Sequence, residues 1–333
     1  MSGVSAEEEK LIKFFLGPWL IGGCIDLVLM GVLCCQVTNY FTMYTSDGRG
    51  LRLAVAVLFL LNLLKSGEYF SASLWIFLIN HFGDIQYNLG LSATGWWDTA
   101  NPLMVAILAF YVQCYFCTRL WAVSKNWWVV GPIFLLFVFA LLAMAIGTYY
   151  IQTLQNQQVT DWFAAHLSSV FAGDVILSGT TAYFLIRTKK TVFSTQTAEL
   201  LRALIPLTFQ TAAPPAIIAM FNLIFSQLYR TKQPLLGYVE IGFNQVLPKL
   251  YAISMMYTLN ARRAIRSKVS GSRNGTSTHE PSFRQPRHGN GDVELGRIEV
   301  TTQKEITRHV DVTDMFASTH SIEESKVTFS GPE

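Results

Sequence analysis

The sequence predicts an all-α fold: a polytopic membrane protein, built as a seven-transmembrane-helix bundle with its N-terminus outside, its C-terminus cytoplasmic and a disordered C-terminal tail. Three observations predict it. Seven apolar stretches are each long enough to cross a bilayer, which takes about 20 mainly apolar residues per helix. Lys and Arg recur in alternate connections. The C-terminal segment abandons the apolar character of the rest. The chain is 51% hydrophobic and only 14% charged, against roughly 25% charged residues in soluble domains. A net charge of +3 is too small to point to nucleic acid, and the basic residues lie beside apolar runs rather than in one patch. Membrane lipid is the expected surrounding, in the plasma membrane or an endomembrane.

A short extracytoplasmic segment, 1–13, precedes a transmembrane domain at 14–262. Its spans fall at about 14–41, 53–79, 99–122, 127–150, 162–186, 199–228 and 236–259. The first carries Asp26 midway. The second carries Asn62, Lys65 and Glu68, and the seventh carries Lys249, so these two are the weakest by hydropathy. Such segments insert best when neighbouring helices shield the charge, which predicts a compact bundle. The fifth carries Asp174 midway. The sixth contains Pro206, Pro214 and Pro215, and Pro248 precedes Lys249 in the seventh. Each proline removes a backbone donor and can bend its helix.

Orientation follows from the excess of Lys and Arg on the cytoplasmic side of short loops. Loop one has Arg49 and Arg52, loop three Arg119 and Lys125, and loop five Arg187, Lys189, Lys190 and Arg202. Loops two and four have neither residue type, and loop six has only Arg230 and Lys232. The tail opens with Arg262, Arg263, Arg266 and Lys268. Odd loops and tail are therefore expected inside. Trp96, Trp97 and Trp162 fall at predicted outer ends and Trp121, Trp127 and Trp128 at inner ones, where interfacial belts favour them.

Residues 263–333 are dominated by Ser, Thr, Gly, Pro and charge, and read as a disordered cytoplasmic tail. It is a candidate phosphorylation target and a route to a cytoplasmic signalling partner. Asn274-Gly275-Thr276 is a formal glycosylation sequon that this topology leaves unused. Glu7, Glu8 and Glu9 stand where a signal peptide would have a basic region, and the first apolar run is too long for one, so no cleavable signal is expected.

Ionisable residues at membrane depth are expensive unless they face the bundle interior, so they mark functional candidates. Asp26, Lys65, Glu68, Asp174 and Lys249 all lie at comparable depth, with Asn62 one turn before Lys65. Lys65 and Glu68 are at i,i+3 and can pair. Three acids against two bases leave one unmatched negative charge, which predicts a protonated acid or a cavity that takes a cation or proton. No metal, cofactor or enzymatic activity is expected. Cys114-x-x-Cys117 lacks a second ligand pair at metal-site spacing, no Ser/His/Asp or His-rich set converges, and His81 and His166 read as surface or packing residues. All five cysteines lie in apolar stretches, so no structural disulfide is expected.

Several short blocks carry a family resemblance. They are Leu16-Gly17-Pro18, Gly31-Val32 with Cys35-Gln36, and Val112-Gln113-Cys114-Tyr115-Phe116 with Arg119-Leu120-Trp121 and Ser124-Lys125. Further along are Asp174-Val175-Ile176 with Tyr183-Phe184-Leu185, and Lys249-Leu250-Tyr251 with Leu259-Asn260-Ala261-Arg262. Over about residues 14–263 the chain resembles a group of basidiomycete fungal seven-helix membrane proteins catalogued as a domain of unknown function. The resemblance implies the architecture and brings no agreed activity. Family members often carry an acid and a histidine in the second span, where this chain has Asn62 and Lys65. They often have Glu after Thr in the sixth, where it has Gln210. If those positions shape a ligand, Gln210 joins Asp26, Asn62, Lys65, Glu68, Asp174 and Lys249 as a candidate ligand-binding residue.

The leading functional expectation is a receptor-like sensor that binds a small ligand in the polar intramembrane core. It departs from the familiar G-protein-coupled pattern, because no acid precedes Arg119 and Pro248-x-x-Tyr251 lies near mid-depth. A transporter or channel for a small solute or ion is the first alternative, although no internal repeat is evident. A structural membrane protein with a closed charge network is the second. A retinal photoreceptor using Lys249 is disfavoured by Gln245, which stands where an acid is usual, and by the lack of a mid-depth carboxylate in the third span.

Overall fold

Without water to satisfy the backbone, an apolar chain crosses lipid as helix, because each N–H and C=O then pairs within its own segment. The computed structural model describes residues 6–74, 95–153, 155–191, 195–230 and 238–273, with Asp84 and Tyr87 as isolated positions. Among these residues the chain forms seven long helices. They are α1 Ala6–Met43, α2 Arg49–Glu68 prolonged by a π-helical turn Tyr69–Leu74, α3 Trp96–Ser124, α4 Trp127–Gln152, α5 Asn156–Thr191, α6 Thr195–Arg230 and α7 Val239–Arg273. His81, Lys232, the Asn274-Gly275-Thr276 sequon and residues 274–333 of the expected tail lie outside the described residues. Clustering of contacts separates Met1–Asn274 from Gly275–Glu333; the helices all belong to the first unit.

Six of the helices are long and apolar enough to cross a membrane, over Leu16–Met43, Arg49–Ser71, Thr99–Ser124, Trp127–Gln152, Gln157–Lys189 and Leu204–Leu228. Each overlaps one of the first six expected spans; residues 75–79 of the second lie outside the described residues. Their outward faces carry large exposed apolar side chains, among them Val28, Leu53, Leu60, Leu135, Leu142, Val175 and Phe209. A water-soluble domain does not tolerate so continuous a surface. The protein is an integral membrane protein, and lipid covers these faces.

The helix expected as the seventh span, α7, does not reach the same apolarity, and it is nevertheless a hub of the bundle. It packs against α1, α2, α3 and α6. Gln245, Lys249, Ser254 and Thr258 are all buried in those contacts beside Leu247, Ala252, Met255 and Met256. A helix surrounded by other helices needs no lipid-facing apolar coat, so its polar residues lower its hydropathy without opposing its burial. The helix also runs on to Arg273, past position 262 where the tail was expected to begin. Sequential helices pack side by side, α7 closes back onto α1, and α3 crosses the interior to touch α5 and α7.

Local chemistry places the ends. Lys125 adopts the left-handed conformation (φ 52°) after α3 and donates its N–H to Trp121 O at 2.8 Å. Asn126 then caps α4 by accepting from Trp128 N at 3.0 Å. Between α1 and α7 a glycine lets backbone approach backbone. A Cβ on Gly22 would stand 2.8 Å from Gly242 Cα and 2.9 Å from its carbonyl oxygen, so the absence of a side chain lets the two backbones meet.

Candidate functional site

Two separate groups of polar residues join helices inside the bundle. The first joins α1, α2 and α7. Asp26 Oδ1 lies 3.1 Å from Lys249 Nζ and 3.3 Å from Lys65 Nζ, and none of the three side chains is exposed. Ser66 Oγ donates to the other oxygen of Asp26 at 2.5 Å. Lys65 donates to the backbone carbonyl of Gln245 at 3.1 Å and to Gln245 Oε1. Lys249 donates to the carbonyl of Asn62 at 3.1 Å, while the Asn62 amide turns back to Leu58 O at 2.9 Å. Glu68, half-buried one turn further along α2, adds a longer-range attraction to Lys65. Two lysines thus face two acids, and this group closes in charge.

The second group joins α3, α5 and α7. Asp174 accepts from Gln113 Nε2 at 3.1 Å and from the Tyr251 hydroxyl. It borders a cavity walled by α3, α5, α6 and α7, whose lining also includes Arg119, Thr181, Thr208, Thr211 and Pro215. The volume open to water-sized centres is about 30 Å³, twice the roughly 15 Å³ that one ordered water needs. Arg119 stands six residues after Gln113 on α3, or about 9 Å along the helix. Asp174 and Arg119 both line this cavity, and no ion pair joins them among the described residues.

Of the seven candidates from the sequence, Asp26, Asn62, Lys65 and Lys249 are brought together, with Glu68 beside them. Asp174 is not in that set; it has its own partners across the bundle interior. Gln210 joins neither group. It is exposed on the outer side of α6, because the neighbouring Thr208 and Thr211 take the inward positions of that turn. The expected unmatched negative charge falls on Asp174, which has neutral hydrogen-bond partners and no ion pair among the described residues. Placing all ionisable residues at one depth ignored the side of the bundle each occupies, and Arg119 was counted as a loop residue.

Sequence reasoning missed Ser66, Gln113, Tyr251 and Arg119, and weighed Gln245 only as a missing acid. Neutral polar residues inside apolar runs were the available signal. A further set closes the α7 end of the bundle. Arg262 Nη2 meets Asp47 Oδ2 at 2.5 Å, Tyr40 donates to the same oxygen at 2.9 Å, and Asn260 Nδ2 donates to Gln36 Oε1 at 2.6 Å. Gln36, Asn260 and Arg262, all in the blocks quoted above, are thus tied across the bundle. Among the described residues, no three His, Cys, Asp or Glu side chains gather as metal ligands.

Residues 170–264 match the family described as "Family of unknown function (DUF6534)". This stretch runs from α5 through α6 into α7 and contains Asp174, Thr208, Thr211, Lys249 and Tyr251. Comparison with curated proteins and with solved structures returns no match.

Proposed function

We propose that this protein is a seven-transmembrane-helix, receptor-like sensor, with its N-terminus outside and its C-terminus cytoplasmic, and not an enzyme. The observation that carries the reading is the cavity beside Asp174, walled by four different helices including the proline-containing α6. A ligand there touches α3, α5, α6 and α7 together, and so has differential contacts to offer if those helices rearrange. Pro206, Pro214 and Pro215 each remove an internal hydrogen bond from α6, which lowers the cost of bending beside the cavity. The basic odd loops support the orientation, with the tail on the side of a cytoplasmic partner.

The Asp26–Lys65–Lys249 group fits the structural alternative instead. Its three charged side chains are enclosed and hydrogen-bonded, with the half-buried Glu68 as the second acid, so it serves as a lock between α1, α2 and α7. The ligand-binding role thereby moves from Lys249 to the Asp174 cavity. A thermal-shift screen of ligands on detergent-purified protein tests this, run beside Thr211→Leu and Lys249→Met. Saturable stabilisation lost in Thr211→Leu but kept in Lys249→Met is the expected result. Loss only in Lys249→Met returns the site to the lock. No stabilisation by any ligand class sinks the sensor reading and leaves a structural bundle.

A further inference from the structure

We propose that the Arg119 end of the cavity binds a small monovalent anion, a halide or a short carboxylate. The proposal rests on the reading of this cavity as the ligand site and names the chemistry it takes. Arg119 Nη1 is buried and has no hydrogen-bond partner among the described residues. Its Nη2 reaches Thr208 Oγ1 only at 3.4 Å. No described carboxylate forms an ion pair with it. Asp174, the acid of the cavity, is engaged by Gln113 and Tyr251.

A guanidinium cannot discharge itself by losing a proton. With Nη1 taken out of water and no counter-charge beside it, the half-buried guanidinium carries a desolvation cost that an anion in hydrogen-bond reach offsets. The rest of the lining selects what enters. Thr181, Thr208 and Thr211 donate their hydroxyl protons to Leu177 O at 2.7 Å, Leu204 O at 2.9 Å and Leu207 O at 3.0 Å. The donors left facing the cavity are therefore the Ser178 hydroxyl and, as the one charged donor, Arg119. Phe116, Ala212 and Pro215 supply apolar walls, which exclude water and strengthen the one charged contact. A space of about 30 Å³ suits a monatomic ion or a short carboxylate and is far below the few hundred Å³ of a drug-sized pocket. Asp174, also in the lining, repels further negative charge, which favours a single charge beside Arg119.

The test uses full-length protein in detergent, with melting temperature followed as chloride or acetate replaces gluconate at constant ionic strength. The wild type is expected to show a saturable rise. Arg119→Gln should weaken the half-saturation concentration by about tenfold or more, and Arg119→Lys by less. Ala212→Leu, which fills the cavity from the opposite wall and keeps the arginine, should also abolish the rise, so the outcome does not hang on one variant folding. Acetate acting without chloride identifies a carboxylate, and chloride acting alone a halide. An equal rise in Arg119→Gln, or no rise in the wild type, overturns the proposal. If anions are inert while ethylene glycol or tetramethylammonium stabilises the wild type but not Ala212→Leu, the cavity binds ligands but not anions. If no probe acts, the sensor reading fails as well.

Discussion

Lys249 Nζ stands 3.1 Å from Asp26 Oδ1, the same oxygen that Lys65 approaches at 3.3 Å. One carboxylate thus holds a lysine from each of two other helices, and the roles are unequal. Asp26→Asn leaves two buried ammonium groups against a neutral amide and should destabilise by about 3–5 kcal/mol. Lys249→Met removes one cation but keeps the Asp26–Lys65 pair, so its cost should stay below about 2 kcal/mol. Thermal unfolding of both variants in the same detergent decides it. Equal losses would show that the carboxylate is not the shared centre.

The contact between α1 and α7 depends on Gly22. A Cβ there would meet Gly242 backbone at 2.8 Å, whereas one on Gly31 would meet nothing within 4 Å. Gly22→Ala should therefore push two backbones apart at a cost of about 1–3 kcal/mol. Gly31→Ala should leave stability within about 0.5 kcal/mol. A melting curve for each variant separates close approach from ordinary helix propensity.

Tyr251 and Asp174 form a buried pair across α7 and α5. Tyr251→Phe deprives Asp174 of one of its two donors and should cost about 1–3 kcal/mol. Combined with Asp174→Asn, the losses should add to less than their sum, because each change removes the same contact. Strict additivity in that double-mutant cycle would show that the two do not depend on each other.

At the far end of α7, Arg262 and Asp47 tie the helix to the α1–α2 connection. Their side chains keep 21% and 7% exposure, so the coupling between Arg262→Ala and Asp47→Asn should be only about 1 kcal/mol. The local effect should be larger than the global one. Amide exchange over 44–50 and 258–264 is expected to quicken in Arg262→Ala while the bundle core keeps its protection. Uniformly faster exchange would make the pair part of the global fold instead.

The helices and their order were legible in the sequence, because uninterrupted apolar length is a property of each segment alone. Membrane embedding followed from the same signal. So did the candidacy of Asp26, Lys65 and Lys249, since a charge in such a run must turn inward wherever it sits along the helix. The sequence by itself did not determine which charges meet. That depends on the rotation of each helix about its axis and on which helices are neighbours, and both are set by packing between distant segments. Only the tertiary structure turned Gln210 outward, carried Asp174 away from the lysines to Gln113 and Tyr251, and gathered Ser66 and Gln245 around Lys65. It also drew Arg119 inward: a basic residue at a helix end is expected to reach for the water interface, and only the walls of α5 and α6 around it make it the half-buried cation of a cavity. The polar face of α7 weakened its hydropathy for the same reason, because its surroundings are other helices rather than lipid.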